Sequence, residues 1–431
     1  MKRVLSLVLA LTILLGMSSA LAEVKEIDGI TERKIKIHSA GLNTDPEEMI
    51  RNGISPTTGR KLSEIAENIP DGFLGTAVTG QYQPIMVQIS NANNGVGYEK
   101  KTKKLYTTAP VNAGYADVVY EALQKRENSE SRMTMIFSDL VPDYVGFLRS
   151  TRLTHVRLRQ EWDCAFCTSG YSRADVPAEW KKLGVMSPES AVEGNPGLVY
   201  VGDFPKVWKK YVWRLHPYSS PNNELFMLAD IVRDIIPKDH KAANHTFLFT
   251  DDLPTGGDSA EIIYVTFGNP LETNSRLEYN PDTNTYTRYV KVQGLKDQPY
   301  RDSRIVNPVI KMVPDGKGGR VKKVAIDERY IAEEITFSNV IVQGVKMKWK
   351  GFNRPDPEMV GVDNADYFMG GRHFAGVWER KDINSRTVFY GEDGNEIYLQ
   401  RGRTLIIMMP YSDAVGKNKY KKNDKRGVKY E

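Results

Sequence analysis

The chain is poor in the residues that build metal and redox sites. Only two of its 431 residues are cysteines, Cys164 and Cys167, and six are histidines. Two cysteines cannot form a disulfide framework, and a chain of this length buries enough core to need none. A zinc site would need four ligands, and no clustered histidines complement the cysteine pair. We therefore predict no disulfide, no metal site and no cofactor.

Long apolar runs are also scarce, apart from one at the N-terminus. Lys2 and Arg3 precede an apolar stretch at 4–15, and Ala20-Leu21-Ala22 forms a small-x-small cleavage site. This pattern is typical of a secretory signal peptide over residues 1–22, cleaved after Ala22, with a retained N-terminal anchor as the alternative. No lipid-attachment cysteine follows it, and no later run is long enough for a transmembrane helix. We expect a secreted, extracytoplasmic protein.

The chain has little excess charge. Its formal net charge is +5, and residues 412–431 carry seven Lys/Arg against three Asp/Glu. A basic tail over 416–431 without apolar periodicity is typically solvated and disordered. The alternative is contact with an anionic wall polymer or lipid headgroups. For an exported chain we predict no nucleic-acid partner.

The first half alternates strand and helix patterns. Buried strands are predicted at 83–90, 132–139 and 162–169, and helices at 113–124, 147–160 and 221–237. Ser220 is the expected N-cap of the last of these helices, with Pro221 at its first position. This alternation favours an α/β sandwich with parallel crossovers.

The second half changes character after Pro237. Short β-type runs follow one another, with hairpin-forming loops at 280–285, 314–320 and 391–395. The predicted fold class is α+β, an N-terminal α/β sandwich domain followed by a mainly antiparallel β domain. The predicted order is signal peptide 1–22, lead-in 23–80, N-terminal domain 81–240, C-terminal domain 241–415 and basic tail 416–431.

The segment 149–167, "RSTRLTHVRLRQEWDCAFC", holds the candidate chemistry. Its two cysteines lie in a predicted strand, where residues three apart face opposite sides, so we interpret them as buried free thiols. Arg149 and Arg152 would be i, i+3 neighbours in the first turns of a helix. Cations are disfavoured at that end, so the pair implies a nearby anion.

Three interpretations of the arginine pair remain open. One is a bound carboxylate or phosphate, held by the two arginines with Ser150 between them. A second is an internal carboxylate of Asp117, Glu121 or Asp139. The third interpretation is a solvated stripe that needs no anion at all.

Several stretches read in order carry a family resemblance. They include "SPTTG" (55–59), "PIMVQISN" (84–91), "ADVVYEAL" (116–123), "VGFLRSTR" (145–152), "WDCAFCTSG" (162–170), "YNPDTNTYTRY" (279–289), "SNVIVQ" (338–343), "FAGVWERK" (374–381) and "FYGEDGNEIYLQRGRTLIIMMP" (389–410). Together they resemble the YerB-like family of Gram-positive cell-envelope proteins, which have two domains of unknown function and are often lipoproteins. The resemblance implies that Glu121, Arg149, Ser150 and Arg152 are family-typical polar residues. The missing lipid-attachment cysteine puts membrane tethering in doubt.

These observations favour a non-catalytic binding or scaffolding protein of the cell envelope. Its expected ligand is an anionic group held by Arg149, Ser150 and Arg152 near Glu121, with an anionic wall polymer or an envelope protein as partner. The alternative is an enzyme that acts on a cell-wall polymer with Glu121 as general acid or base. A further alternative is a partner-binding module that uses strand edges of the C-terminal half. The sequence identifies neither the ligand, the partner nor the oligomeric state.

Overall fold

A computed structural model describes most of the chain. The described residues are 23–38, 41, 44–67, 69–91, 96–99, 104–107, 111–125, 131–184, 199–201, 211–214, 224–268, 275–290, 298–299, 301–303, 309–314, 316–325, 332–350, 354–413 and 426–431. The predicted signal peptide lies outside them.

The helices of the described residues are short. Helices α1 to α6 are Pro46–Arg51, Leu62–Ala66, Thr76–Thr79, Leu153–Trp162, Val176–Lys182 and Leu228–Asp234, and a 3₁₀ turn covers Ala113–Tyr115. Helix α1 begins at Pro46, because the Asp45 side chain accepts a hydrogen bond from the backbone N–H of Glu47 and Pro46 supplies a fixed φ.

Strands outnumber helices among the described residues. Strands β1 to β11 are Lys25–Glu26, Ile85–Ser90, Val96–Glu99, Lys104–Thr107, Val118–Leu123, Ser131–Phe137, Val145–Gly146, Ala165–Thr168, Val199–Val201, Val212–Arg214 and Glu224–Phe226. Strands β12 to β30 are Leu248–Thr250, Asp258–Ser259, Ile262–Thr266, Ser275–Asn280, Thr285–Val290, Gln298–Pro299, Arg301–Ser303, Val309–Pro314, Arg320–Ala325, Ala332–Glu334, Thr336–Phe337, Asn339–Lys350, Arg354–Glu358, Gly361–Met369, Arg372–Arg380, Val388–Gly391, Tyr398–Gln400, Thr404–Asp413 and Gly427–Tyr430.

One large sheet runs through both halves of the sequence. Its strand order is β13-β26-β25-β23-β29-β5-β6-β2-β8-β9, with β24 on β23 and β27 on β26. Strand β29 pairs in parallel with β23 on one side and with β5 on the other. A smaller antiparallel sheet has the order β1-β30-β14-β15-β16-β17, with β22 on β16. The predicted α+β class is confirmed, and the domain boundaries stay a prediction.

The large sheet buries both of its faces. One face packs on the smaller sheet and α6, in a core that joins Val119 and Met133 to Leu277. The other face packs on α4 and α5, in a core that joins Val118 and Ala122 to the helices. This is why the strands of the first half are nearly continuous apolar runs rather than alternating ones.

The predicted helix at 113–124 is wrong. The 3₁₀ turn Ala113–Tyr115 is followed by β5, which pairs antiparallel with β6. Val118, Val119 and Ala122 have helical spacing, but every residue of β5 is buried, and a short run buried on both faces carries no diagnostic period.

The predicted parallel crossovers are only partly right. Strand β2 pairs in parallel with β8, and β8 with β9, but β6 lies antiparallel to both β5 and β2. The helix predicted from Pro221 begins later, because β11 precedes it and Met227 is the N-cap of α6. Ser220 and Pro221 lie outside the described residues.

The second half follows its predicted strands and turns. The loops at 280–285 and 314–320 connect paired strands, and the bridge Tyr390–Glu396 closes the turn at 391–395, as their turn residues indicate. The prediction of a solvated tail is wrong at its end, because Gly427–Tyr430 forms β30, which pairs with β1 and β14. Val428 and Tyr430 are buried in that sheet. Residues 416–425 lie outside the described part.

No helix among the described residues combines the length and apolar character needed to cross a bilayer.

Candidate functional site

Glu121 lies in a buried ion pair between the two sheets. Its Oε2 accepts a hydrogen bond from Arg288 Nη2 at 3.1 Å, and both side chains are fully buried. Its Oε1 accepts from Asn91 Nδ2 and from Ser131 Oγ, each at 2.7 Å. Arg288 comes from β16 of the smaller sheet and Glu121 from β5 of the large one. This carboxylate therefore cross-links the two sheets, an arrangement typical of a structural role rather than of a general acid or base.

The large sheet separates Glu121 from the predicted arginine site. Glu121 is opposite Met133 in the β5·β6 register, and Met133 belongs to the core shared with the smaller sheet. The next pair, Ala122 and Arg132, faces the other side, where Ala122 packs with α4. The four predicted ligand residues are thus not brought together, because Glu121 lies on the opposite face.

The arginines do not occupy a helical stripe as predicted. Helix α4 begins at Leu153 rather than at 147, so Arg149 lies in extended chain and Arg152 is the N-cap. The backbone N–H of Arg149 donates to Gln88 O at 2.9 Å, which ties this segment to β2. The helix prediction failed there because residues 147–152 pair with neighbouring chain, including the bridge Thr151–Tyr171.

A cationic cluster nevertheless forms at the start of α4. Arg132, on β6, and Arg152 both donate to the backbone carbonyl of Ser150, the latter at 3.4 Å. Arg149, one residue before Ser150, donates from its Nη1 to Leu148 O at 2.9 Å. Two like-charged guanidinium groups thus converge on one carbonyl. Sequence reasoning missed Arg132, although an arginine at the head of a buried strand is itself an unusual residue.

The positive charge of this cluster affects the pKa of His155. It is buried in the first turn of α4, and its Nδ1 accepts a hydrogen bond from Arg152 N at 3.0 Å. Burial lowers its pKa well below the usual value, and the charges of Arg132 and Arg152 lower it further. His155 is therefore neutral at physiological pH, and the positive charge of the cluster is carried by the arginines.

Asp117 and Asp139 form a separate buried carboxylate pair. Asp139 accepts from Ser55 Oγ and Thr58 Oγ1, both at 2.6 Å, and Thr57 Oγ1 donates to Asp117 at 2.9 Å. Asp117 also accepts from the backbone N–H groups of residues 138 and 139 at 2.8 Å. This pair accepts hydrogen bonds from hydroxyl groups of the predicted lead-in and from the backbone just after β6, rather than from the arginines proposed from the sequence.

Burial raises the pKa of both carboxyl groups. For Asp117 the negative charge of Asp139 raises the pKa further, whereas the backbone donors lower it. For Asp139 the hydroxyls of Ser55 and Thr58 oppose the rise. Two buried carboxylates that share neighbouring hydroxyls resist double ionisation.

A second carboxylate network joins α4 to the C-terminal half. Glu161 Oε1 accepts from Thr387 N at 2.7 Å and from His245 Nε2 at 2.8 Å, and Arg380 lies 3.2 Å from Oε2. Burial alone would raise the pKa of Glu161, but the Arg380 charge and the hydrogen bond from His245 lower it to about 2. His245 stacks on Trp162 with ring centroids 3.8 Å apart, and burial lowers its pKa. This network fixes the end of α4 against strands of the second half.

The two cysteines lie on opposite faces of the large sheet. Cys167 belongs to the core facing the smaller sheet, and Cys164 to the core facing the helices. Both are fully buried and free. Burial raises the pKa of Cys164 to about 12 and that of Cys167 well above its usual value. Such thiols are poor nucleophiles at neutral pH. Within the described residues, no group of three or more His, Cys, Asp or Glu side chains is placed to hold a metal ion.

Comparisons with known proteins assign the chain to a family. Residues 112–239 match the DUF3048 N-terminal domain and residues 319–406 the DUF3048 C-terminal domain, both described as protein of unknown function. The crystal structure of the YerB protein from Bacillus subtilis is similar, with a TM-score of 0.52 and 18% sequence identity. That similarity covers 83% of this chain and 96% of the YerB chain, and at this identity it shows a shared fold. No curated protein matches. The resemblance predicted from the sequence motifs is confirmed: this chain belongs to the DUF3048 family, whose function is unknown.

Proposed function

We propose that this chain is an exported, non-catalytic binding or scaffolding protein of the cell envelope that holds an anionic group at its cationic cluster. The cluster consists of Arg132 and Arg152 at the Ser150 carbonyl, together with Arg149, which precedes Ser150 in the chain. An anionic wall polymer is the proposed partner, because its phosphate groups match guanidinium donors. An envelope protein that presents a carboxylate or phosphate group is the other form of the same proposal.

The convergence of Arg132 and Arg152 on Ser150 O is the observation that carries this proposal. Two guanidinium groups at one carbonyl concentrate positive charge there, and positive charge attracts an anion. The cluster also lies at the N-terminal end of the ten-residue helix α4, where the helix dipole adds positive potential. Both features favour an anion at this place.

The geometry does not favour the alternative enzyme. Glu121 would need access to a substrate, yet it is fully buried and its carboxylate accepts hydrogen bonds from Arg288, Asn91 and Ser131. A general acid or base must come within hydrogen-bond reach of the reacting group.

The test is the melting temperature of the purified protein with inorganic phosphate, teichoic acid or wall fragments. We expect an anion to raise the melting temperature of the wild type, and Arg149→Ala and Arg152→Ala to abolish that rise while the protein remains folded. Arg233→Ala on α6 removes an equal charge from a half-exposed side chain on the other side of the large sheet, and should leave the rise intact.

The outcome that contradicts the proposal is equally definite. If no anion shifts the wild type and the arginine substitutions collapse its stability, the cluster is an internal ion-pair network. Export is tested separately, by fractionating cells of a Gram-positive host and sequencing the N-terminus of the product, which should begin at Glu23.

A further inference from the structure

Two neighbouring cavities meet at Asn244. The larger, about 620 Å³, lies between α1, residues 80–83 and the segment 238–244. The smaller, about 270 Å³, lies between residues 243–244, Glu161 at the end of α4, and residues 379–388. Asn244 lines both of them. We call the two cavities together the groove. It brings together residues of the lead-in, the middle of the chain and the C-terminal half.

The charges that line the larger cavity balance. The lining contains three carboxylates and three cationic side chains, namely Asp45, Glu47 and Asp239, and Arg51, Lys238 and Lys241. Lys241 Nζ and Glu47 Oε1 are 3.2 Å apart and pair directly. A site for nucleic acid or another polyanion would need an excess of cations, which this lining lacks.

The lining is also too polar for a lipid or an apolar peptide. Ile50 and Ala242 are among the few apolar side chains of the larger cavity, whereas sites for such ligands are lined mainly by apolar groups. Amides are prominent instead: Gln81 and Gln83 line the larger cavity, and Asn244 lines both. An amide offers a donor and an acceptor together, so it can pair with a hydroxyl group in either direction.

Tyr82 adds a flat aromatic surface to this polar lining. It is half-buried, and its hydroxyl donates to His245 O at 2.9 Å, which fixes the ring at the wall of the larger cavity. The rim beside it is also fixed, since the His240 ring lies 2.9 Å from Asp163 O through its Nε2. A rigid aromatic face among hydrogen-bonding side chains suits a ligand with an apolar face and a polar edge.

We propose that the groove binds a linear, uncharged oligosaccharide, with Tyr82 stacked on a sugar ring and the amides bonded to its hydroxyl groups. A sugar ring has C–H groups on its face and hydroxyls around its edge, and it carries no net charge. Two neighbouring cavities that share Asn244 in their linings suit several linked sugars rather than one. This site goes beyond the anion site proposed above and shares no residue with it.

The experiment is isothermal titration of the purified protein with three soluble tetrasaccharides, of β-1,4-linked N-acetylglucosamine, cellotetraose and maltotetraose. We expect at least one to bind with millimolar or tighter affinity. Gln81→Ala and Asn244→Ala should each weaken that binding about fivefold, the effect of one lost hydrogen bond. Both side chains are exposed, so these variants should fold normally.

Two controls make the result specific. Asn280→Ala removes an exposed asparagine from the β15–β16 turn and should not change the affinity. Arg152→Ala should also leave it unchanged, so failure of the anion site and failure of the groove can be told apart. The proposal is overturned if none of the tetrasaccharides binds at about 5 mM, or if Gln81→Ala and Asn244→Ala bind as the wild type does.

Discussion

Glu121→Gln should destabilise this protein strongly. The substitution keeps the size of the side chain and one acceptor oxygen, which can still serve Asn91 and Ser131 at 2.7 Å. The new amide N–H₂ group then faces Arg288 Nη2, which now donates to Glu121 at 3.1 Å. Two hydrogen-bond donors then face each other, and the buried Arg288 guanidinium loses the Glu121 carboxylate. Removal of one partner from a buried ion pair costs about 3–5 kcal/mol.

The assay is urea unfolding at pH 7, followed by circular dichroism, for wild type and Glu121→Gln. Glu47→Gln is the matched control, because Glu47 pairs with Lys241 at the surface and such pairs contribute less than about 1 kcal/mol. The double variant Glu121→Gln/Arg288→Met removes both charges, and we expect it to lose less stability than Glu121→Gln alone. The reasoning is refuted if Glu121→Gln costs no more than Glu47→Gln.

Three further predictions rest on buried titratable groups. Because the pKa values of Asp117 and Asp139 are raised in the folded state, their contribution to stability is full at low pH and is lost as pH rises through the folded pKa. The free energy of unfolding of Asp117→Asn, relative to that of the wild type, should therefore increase as pH rises. A difference between the two proteins that does not change with pH would contradict this. For Glu161 the stability depends on pH in the opposite direction, because its pKa is lowered from 4.5 to about 2. Its ionised form should contribute about 3 kcal/mol to the free energy of unfolding, and this contribution is lost as pH falls from 4.5 toward 2. Glu161→Gln should lack this loss in acid unfolding curves. Cys164 and Cys167 should react with Ellman's reagent only as fast as the protein unfolds, and a rapid native reaction would contradict their burial.

The strands of the second half could be predicted because sequence pattern and environment agree there. Strand β15 alternates buried and half-exposed residues from Ser275, and the turn residues of "NPDTNT" fix the hairpin that follows. The error at 113–124 has the opposite cause. Strand β5 is buried on both faces by layers distant in sequence, so the period that distinguishes strand from helix is absent.

The candidate sites were predicted less well, because their residues meet only through long-range pairing. The motif "SPTTG" was recognised as family-typical, but nothing local to it indicates that Thr57 would bond Asp117 across 60 positions. Likewise Arg288 lies in a strand with ordinary β pattern, and only the stacking of the two sheets places it on Glu121. The excess of arginines at 149–159 points to a cationic segment. The sequence does not indicate that Arg132 lies beside it, because this depends on the pairing of β6 with β5.

The position of β29 bears on how the two halves fold. This C-terminal strand lies between β23 of its own half and β5 of the other, in parallel with both. Either half alone would expose an unpaired edge of a strand that is buried on both faces, which is costly and prone to aggregation. The ion pair of Glu121 with Arg288 and that of Glu161 with Arg380 also join residues from the two halves. We therefore infer that the two domains distinguished by sequence are one cooperative folding unit, and that binding studies need the whole chain rather than either half.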